Sequence, residues 1–136
     1  GGETVTRDAE SQEVTEAGAA DVFSLVIGDC FNDGPSGQIP GVPAVPCAEP
    51  HDNEVYFLFD MPDGEFPGDP AIEAAADTSC TGAFDTFVGL DYATSALGWF
   101  PITPTESSWG DGDREIICAV WDPAGKISGS LAGVAR

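Results

Sequence analysis

Residues 54–89 read EVYFLFDMPDGEFPGDPAIEAAADTSCTGAFDTFVG, and their reading decides the fold. The run Glu54-Val55-Tyr56-Phe57-Leu58-Phe59 is rich in aromatic and branched residues and is the strongest strand candidate in the chain. An acidic turn follows over residues 60–69, broken by Pro62, Gly64, Pro67 and Gly68. Beyond it the apolar residues Ile72, Ala75, Ala76, Cys80, Ala83 and Phe87 recur at spacings of three and four, which gives a helix one apolar face. Asp69 can accept hydrogen bonds from the first-turn amides, Pro70 suits the first helical position, and Gly89 ends the helix.

Working outward, Val22-Phe23-Ser24-Leu25-Val26-Ile27 is a short apolar run stopped by Gly28-Asp29 and reads as a strand. Residues 32–46 are dense in glycine and proline, so a loop is expected there, with a short extended piece at 42–45. Thr103-Pro104-Thr105-Glu106 has the form of a capping box and predicts one short helical turn ahead of Trp109. Residues 115–121 and 126–131 flank Asp122-Pro123-Ala124-Gly125, a turn sequence that predicts a terminal hairpin. Strands outnumber helices and are not separated by regular helices. The fold class is therefore α+β, a mainly antiparallel sheet with one principal helix packed on it. Residues 1–21 are acidic, with only Val5 and Val14 as large apolar side chains, and read as a flexible tether to a domain spanning 22–136.

The 136 residues carry 24 Asp plus Glu against 4 Lys plus Arg, a formal charge of −20. Nucleic acid is excluded as a partner, because phosphate binding needs clustered Lys or Arg, and an anionic membrane surface is disfavoured for the same reason. The balance favours cations and basic proteins. The sequence has no apolar run of about 18 residues, so attachment to a membrane would go through an anchor outside this chain. The chain opens Gly1-Gly2-Glu3 and reads as the mature part of a longer precursor.

Cysteines stand at 30, 47, 80 and 118, with no C-x-x-C pair and with His51 as the lone histidine. That spacing does not suit a zinc site, and no cofactor is implied. Two disulfides are expected instead, which points to an oxidising, extracytoplasmic setting. Four cysteines allow three pairings. The sequential one, Cys30–Cys47 across the Pro/Gly loop and Cys80–Cys118 from the helix face to the terminal hairpin, is preferred, and sequence alone leaves the choice open.

Several places could carry chemistry. In Pro50-His51-Asp52-Asn53-Glu54 an acid–base role for His51 with Asp52 or Glu54 would suit a hydrolase, yet neighbours along an extended chain point to opposite faces and no nucleophile accompanies them. The preferred reading makes His51 a structural residue in the turn entering the Glu54 strand. Asp60, Asp63, Glu65 and Asp69, or Asp111 and Asp113, could serve a calcium-dependent adhesion or sensor module, but neither loop has EF-hand register. Trp99-Phe100, Trp109 and Trp121 are read first as core filler and second as platforms for sugar rings. Arg114, amid Asp111 and Asp113, is expected to make a structural bridge to a carboxylate.

In order along the chain, Ile27-Gly28-Asp29-Cys30-Phe31, Val45-Pro46-Cys47 with Pro50-His51-Asp52-x-Glu54-Val55, Phe66-Pro67-Gly68, Cys80 with Phe84, Phe87 and Gly89, Pro104 to Trp109, Gly112-Asp113-Arg114 leading to Cys118, and Gly129-Ser130-Leu131 together resemble the septum formation domain of actinobacterial proteins. The resemblance covers residues 22–136. The family pattern also includes longer or duplicated arrangements, and this chain holds a single unit. The resemblance implies an extracytoplasmic part of a membrane-anchored protein or lipoprotein, the four cysteines as disulfides, and Pro50, His51, Asp52, Glu54, Trp109, Asp113 and Arg114 as a signature with no catalytic role assigned. The function expected is thus a non-catalytic binding or accessory module of the cell envelope or septum, with a protein or a cell-wall component as its partner.

Overall fold

The computed structural model describes residues 6–11, 14–21, 25–33 and 41–136. In chain order its elements are β1 (Thr6–Arg7), β2 (Val14–Glu16), β3 (Gly18–Asp21), β4 (Cys30–Phe31), β5 (Gly41–Val45), β6 (Asn53–Asp60), α1 (Asp69–Val88), β7 (Gly98–Ile102), α2 (Glu106–Gly110) and β8 (Glu115–Trp121). One sheet runs in the order β3-β5-β4-β6-β8-β7, every neighbouring pair antiparallel, and β1 pairs with β2 beside it. With α1 laid on one face, this is the α+β architecture read from the sequence.

Strand β8 sits between β6 and β7, and Ile116, Ile117, Cys118, Ala119 and Val120 are all buried. A strand covered on both faces reads as an unbroken apolar run, as this one does. Ile116, Cys118 and Val120 join Ile72, Ala76, Cys80, Phe84 and Val88 of α1 in one core. Ile117 and Ala119 join Val14, Leu25, Phe31, Ala44 and Val55 in a second core on the opposite face. In β6 the register slips between Val55 and Phe57, so that Val55 faces Ala119 and Phe57 faces Cys118. This bulge puts both Tyr56 and Phe57 on the helix side, where the Tyr56 hydroxyl donates to the Cys80 carbonyl at 2.7 Å. Burial pushes the Tyr56 phenol well above the usual tyrosine range, with Tyr92 adding to the shift.

Local expectations hold in part. Gly89 ends α1 in the left-handed conformation at φ 85°, where a side chain would be strained. At the other end the cap position is Gly68, so Asp69 is the first helical residue rather than the cap. Thr105 caps α2 and exchanges hydrogen bonds with Ser108, a capping box placed two residues later than the Thr103–Glu106 reading. Of the strand expected at 22–27, residues 22–24 lie outside the described part, while Leu25 and Val26 are not in a strand. The Asp29 side chain accepts from the Val26 N–H at 3.0 Å and closes a turn, so the strand starts at Cys30.

The expected terminal hairpin is also corrected. Gly125 N–H donates to the Asp122 carbonyl and makes the turn, but both edges of β8 are already occupied by β6 and β7. Residues 126–131 cross instead to the His51 segment, where Ile127 and His51 form an isolated antiparallel bridge.

Residues 6–11 and 14–21 carry the strands β1, β2 and β3, which their acidic composition did not suggest. β3 pairs with β5, Val14 is buried in the second core, and Arg7 makes a two-pronged ion pair with Asp29 at 2.8 Å on each arm. Asp29 is only 3 % exposed, and a buried carboxylate left without a counter-charge is costly.

Both disulfides follow the sequential pairing, Cys30–Cys47 with Cα atoms 5.2 Å apart and Cys80–Cys118 at 5.6 Å. The second ties the buried face of α1 to the middle of β8. Replacing Cys80 and Cys118 together by alanine is expected to lower unfolding free energy by about 3–4 kcal/mol in urea titrations of the oxidised protein. An unchanged midpoint would contradict the staple role.

Candidate functional site

The signature residues fall into two joints. At the first, His51 is fully buried, its Nδ1 2.8 Å from the Glu49 carbonyl, and its backbone exchanges hydrogen bonds with Ile127 at 2.8 and 3.0 Å. With Nδ1–H donating to Glu49, the buried Nε2 has no hydrogen-bond partner. Glu54, 2 % exposed, accepts from the Ser130 hydroxyl at 2.6 Å and from the Leu131 N–H at 2.7 Å. Its carboxylate thereby pins the Gly129-Ser130-Leu131 segment onto β6. Asp52, at the bend before β6, accepts from the Asp33 N–H at 2.9 Å and from the Lys126 ammonium at 3.0 Å. The Asp33 amide and then Lys126 hold the Asp52 carboxyl below the usual range. Pro50 lies exposed at the entry to this turn.

The second joint gathers Trp109, Asp113 and Arg114. The Trp109 ring is buried, its Nε1–H donates to the Gly64 carbonyl at 2.9 Å, and the Arg114 guanidinium stacks 3.9 Å from the ring centroid. Arg114 also donates to Asp63 and to the carbonyls of Trp109 and Asp113. The Asp113 carboxylate accepts from Ser108 and from the Glu115 amide. Arg114 is thus the structural bridge expected from the sequence, with Asp63 as its carboxylate. Asp63 is held low by that guanidinium.

No catalytic constellation comes together at these residues. His51 and Glu54 are committed to the fold, Asp52 is bound to Lys126, and no nucleophilic side chain among the described residues is bonded to the imidazole. Asp63 and Asp113, the central members of the two acidic loops, are turned to Arg114 and to Ser108. Among the described residues, ligand-type atoms converge within 4.8 Å only at Cys30, Cys47 and Glu54, whose sulfurs are joined in a disulfide and offer no thiolate.

A cleft of about 380 Å³ opens at the end of the sheet instead. Trp99 and Phe100 of β7 and Trp121 of β8 line it, with Asp52, Asn53 and Asp122 among its polar walls. Of the three tryptophans only Trp121 is strongly exposed, at 37 %. Its partner across the strands is Gly98, where a Cβ would come within 2.7–2.9 Å of the indole atoms Cε2, Cζ2 and Nε1. The indole therefore lies flat across the glycine, a position that any larger residue would deny it. Asp122 accepts from the Ala124 amide at 2.9 Å and from Arg136 at 2.7 Å, and both hold its carboxyl below the usual range. The core-filler reading thus describes Trp109 and does not describe Trp121. The exposure of Trp121, unlike its residue type, carried no local mark in the sequence, because it depends on Gly98, more than twenty residues away.

The fold and these joints define a disulfide-stapled α+β module with an aromatic cleft. Residues 3–118 match the septum formation family, and the chain belongs to it. The match begins within the acidic segment, in keeping with the strands found there. No curated protein and no solved structure matches the chain.

Glu54→Gln is expected to lower stability by about 1.5–3 kcal/mol and to open residues 129–136 to carboxypeptidase. Unchanged melting and digestion would contradict the pinning role. Glu115 behaves differently: burial, with Asp60 and Asp113 nearby, raises its carboxyl above the ordinary value of 4.5. The folded state then holds that proton more tightly than the unfolded state, so stability falls as pH rises from 4.5 through the raised value. Glu115→Gln should accordingly raise the melting temperature at neutral pH and lose that advantage below about pH 3.

Proposed function

We propose that the chain is a non-catalytic, extracytoplasmic binding or accessory module that serves septum formation at the cell envelope, held to the surface by an anchor outside these residues. The observation that carries this reading is the commitment of His51, Asp52, Glu54, Trp109, Asp113 and Arg114 to bonds within the fold. His51 and Glu54 clamp the C-terminal segment and Arg114 locks Trp109, so the cleft at Trp121 is left with aromatic and carboxylate walls and no activated nucleophile. Two disulfides favour an oxidising compartment. Among the described residues no helix is long and apolar enough to cross a membrane.

The test is localisation in the source organism. The tagged full-length protein should fractionate with the envelope, concentrate at septa, and resist alkylation at all its cysteines unless reduced first. Cytoplasmic distribution with free thiols would overturn the reading. So would turnover of ester, amide or glycoside substrates that Asp52→Asn abolishes.

A further inference from the structure

We infer that the cleft at Trp121 is a saccharide site that takes β-linked pyranose units, with one sugar ring stacked on the Trp121 indole. The inference rests on the reading of the chain as a binding module and names the ligand class of its cleft. The first ground is shape. Gly98 lets the indole lie flat on β7, so one face is fixed against the backbone while Trp121 stays exposed to solvent on the other. A pyranose whose substituents are all equatorial offers a flat face of C–H bonds, slightly positive, that fits the negative face of an indole. Phe100 borders this platform and is itself held edge-on by Phe31, with ring centroids 6.3 Å apart.

The second ground is the polar rim. The carboxylates of Asp33, Asp52 and Asp122 supply planar acceptors at the edge of the platform, and Lys126 beside Asp52 and Arg136 beside Asp122 supply donors. Sugar hydroxyls radiate in the plane of the ring and pair with groups of this kind.

The third ground is charge, and it separates a sugar from a cationic peptide. The chain has 4 basic residues against 24 acidic ones. Two of the four sit on this rim, Lys126 at 3.0 Å from Asp52 and Arg136 at 2.7 Å from Asp122. A cleft built for a cation would leave all its carboxylates open. Here two of the three lining carboxylates, Asp52 and Asp122, are compensated, and the third, Asp33, accepts from the Asn53 amide at 2.9 Å, which suits a neutral ligand that pairs with these acceptors and with the cations beside them. A volume of about 380 Å³ falls in the range of small-ligand sites and matches a short stretch of glycan.

The test is calorimetric titration of the oxidised protein with chitotetraose and cellotetraose, with tetralysine as the cationic probe. Binding of at least one saccharide is expected, unchanged when salt is raised to about 0.5 M. Trp121→Ala should weaken it at least about tenfold, and Trp121→Phe, which keeps a flat ring, should recover most of it. Equal melting temperatures would establish that the variants fold. In 1H–15N spectra the Trp121 indole N–H should shift on titration while that of buried Trp109 stays put. Absence of binding by both saccharides, binding that survives in Trp121→Ala, or salt-sensitive binding of tetralysine alone would overturn the site. Septal localisation in a protein that binds neither saccharide would remove the sugar site and leave the accessory role standing.

Discussion

Two cores share one strand, and the rest of the molecule depends on that constraint. β8 places Ile116, Cys118 and Val120 under α1 and Ile117 and Ala119 against the opposite core. Neither core can form without it, because α1 finds its apolar partners there and the N-terminal segment covers its other side through Val14. The Cys80–Cys118 bond makes this dependence covalent. It joins the helix to the strand at the middle of both, where slippage would shift α1 across the core. Five consecutive buried residues in a central strand leave no position where a polar group could be satisfied except through the backbone ladder, and β6 and β7 supply that ladder on both edges.

Charge imposes the second constraint. On a chain of formal charge −20, each of the 4 cations forms an ion pair, and each pair joins segments distant in sequence. Arg7 reaches buried Asp29, Arg114 reaches Asp63 in the acidic turn, and Lys126 and Arg136 reach Asp52 and Asp122 at the cleft. Exposed pairs add little stability on their own. The Arg7–Asp29 pair is different, since the carboxylate is buried and the guanidinium meets it with both arms. It explains why an acidic segment with little apolar surface packs against the domain at all. The remaining pairs set the direction of loops and neutralise particular carboxylates, and two of them shape the rim of the candidate site.

Much of the fold was legible in the sequence because it is written in local patterns. The period of α1, the apolar density of β6 and β8 and the turn residues at 122–125 each mark their element without reference to the rest. What escaped depends on partners far along the chain. The acidic composition of residues 1–21 concealed strands that β5 and Asp29 hold in place. Residues 126–131 looked like a hairpin arm, and only the strand order reveals that both edges of β8 are occupied. The candidate site was less legible still. His51, Asp52 and Glu54 drew attention by residue type, yet each is taken up by a different structural bond, to the Glu49 carbonyl, to Lys126 and to Ser130. Gly98 is unremarked in sequence, and Trp121, read there first as core filler, lies across it only when β7 and β8 bring the two into register.

Native-state hydrogen exchange tests the account most directly. If β8 is the strand on which both cores depend, its amides and those of β6 should exchange only through global unfolding and be the slowest in the chain. Amides of residues 14–16 and 18–21 should be protected to a lesser but measurable degree through their pairing with β1 and with β5. Faster exchange in β8 than in the edge strands, or free-peptide rates over residues 14–21, would contradict the account.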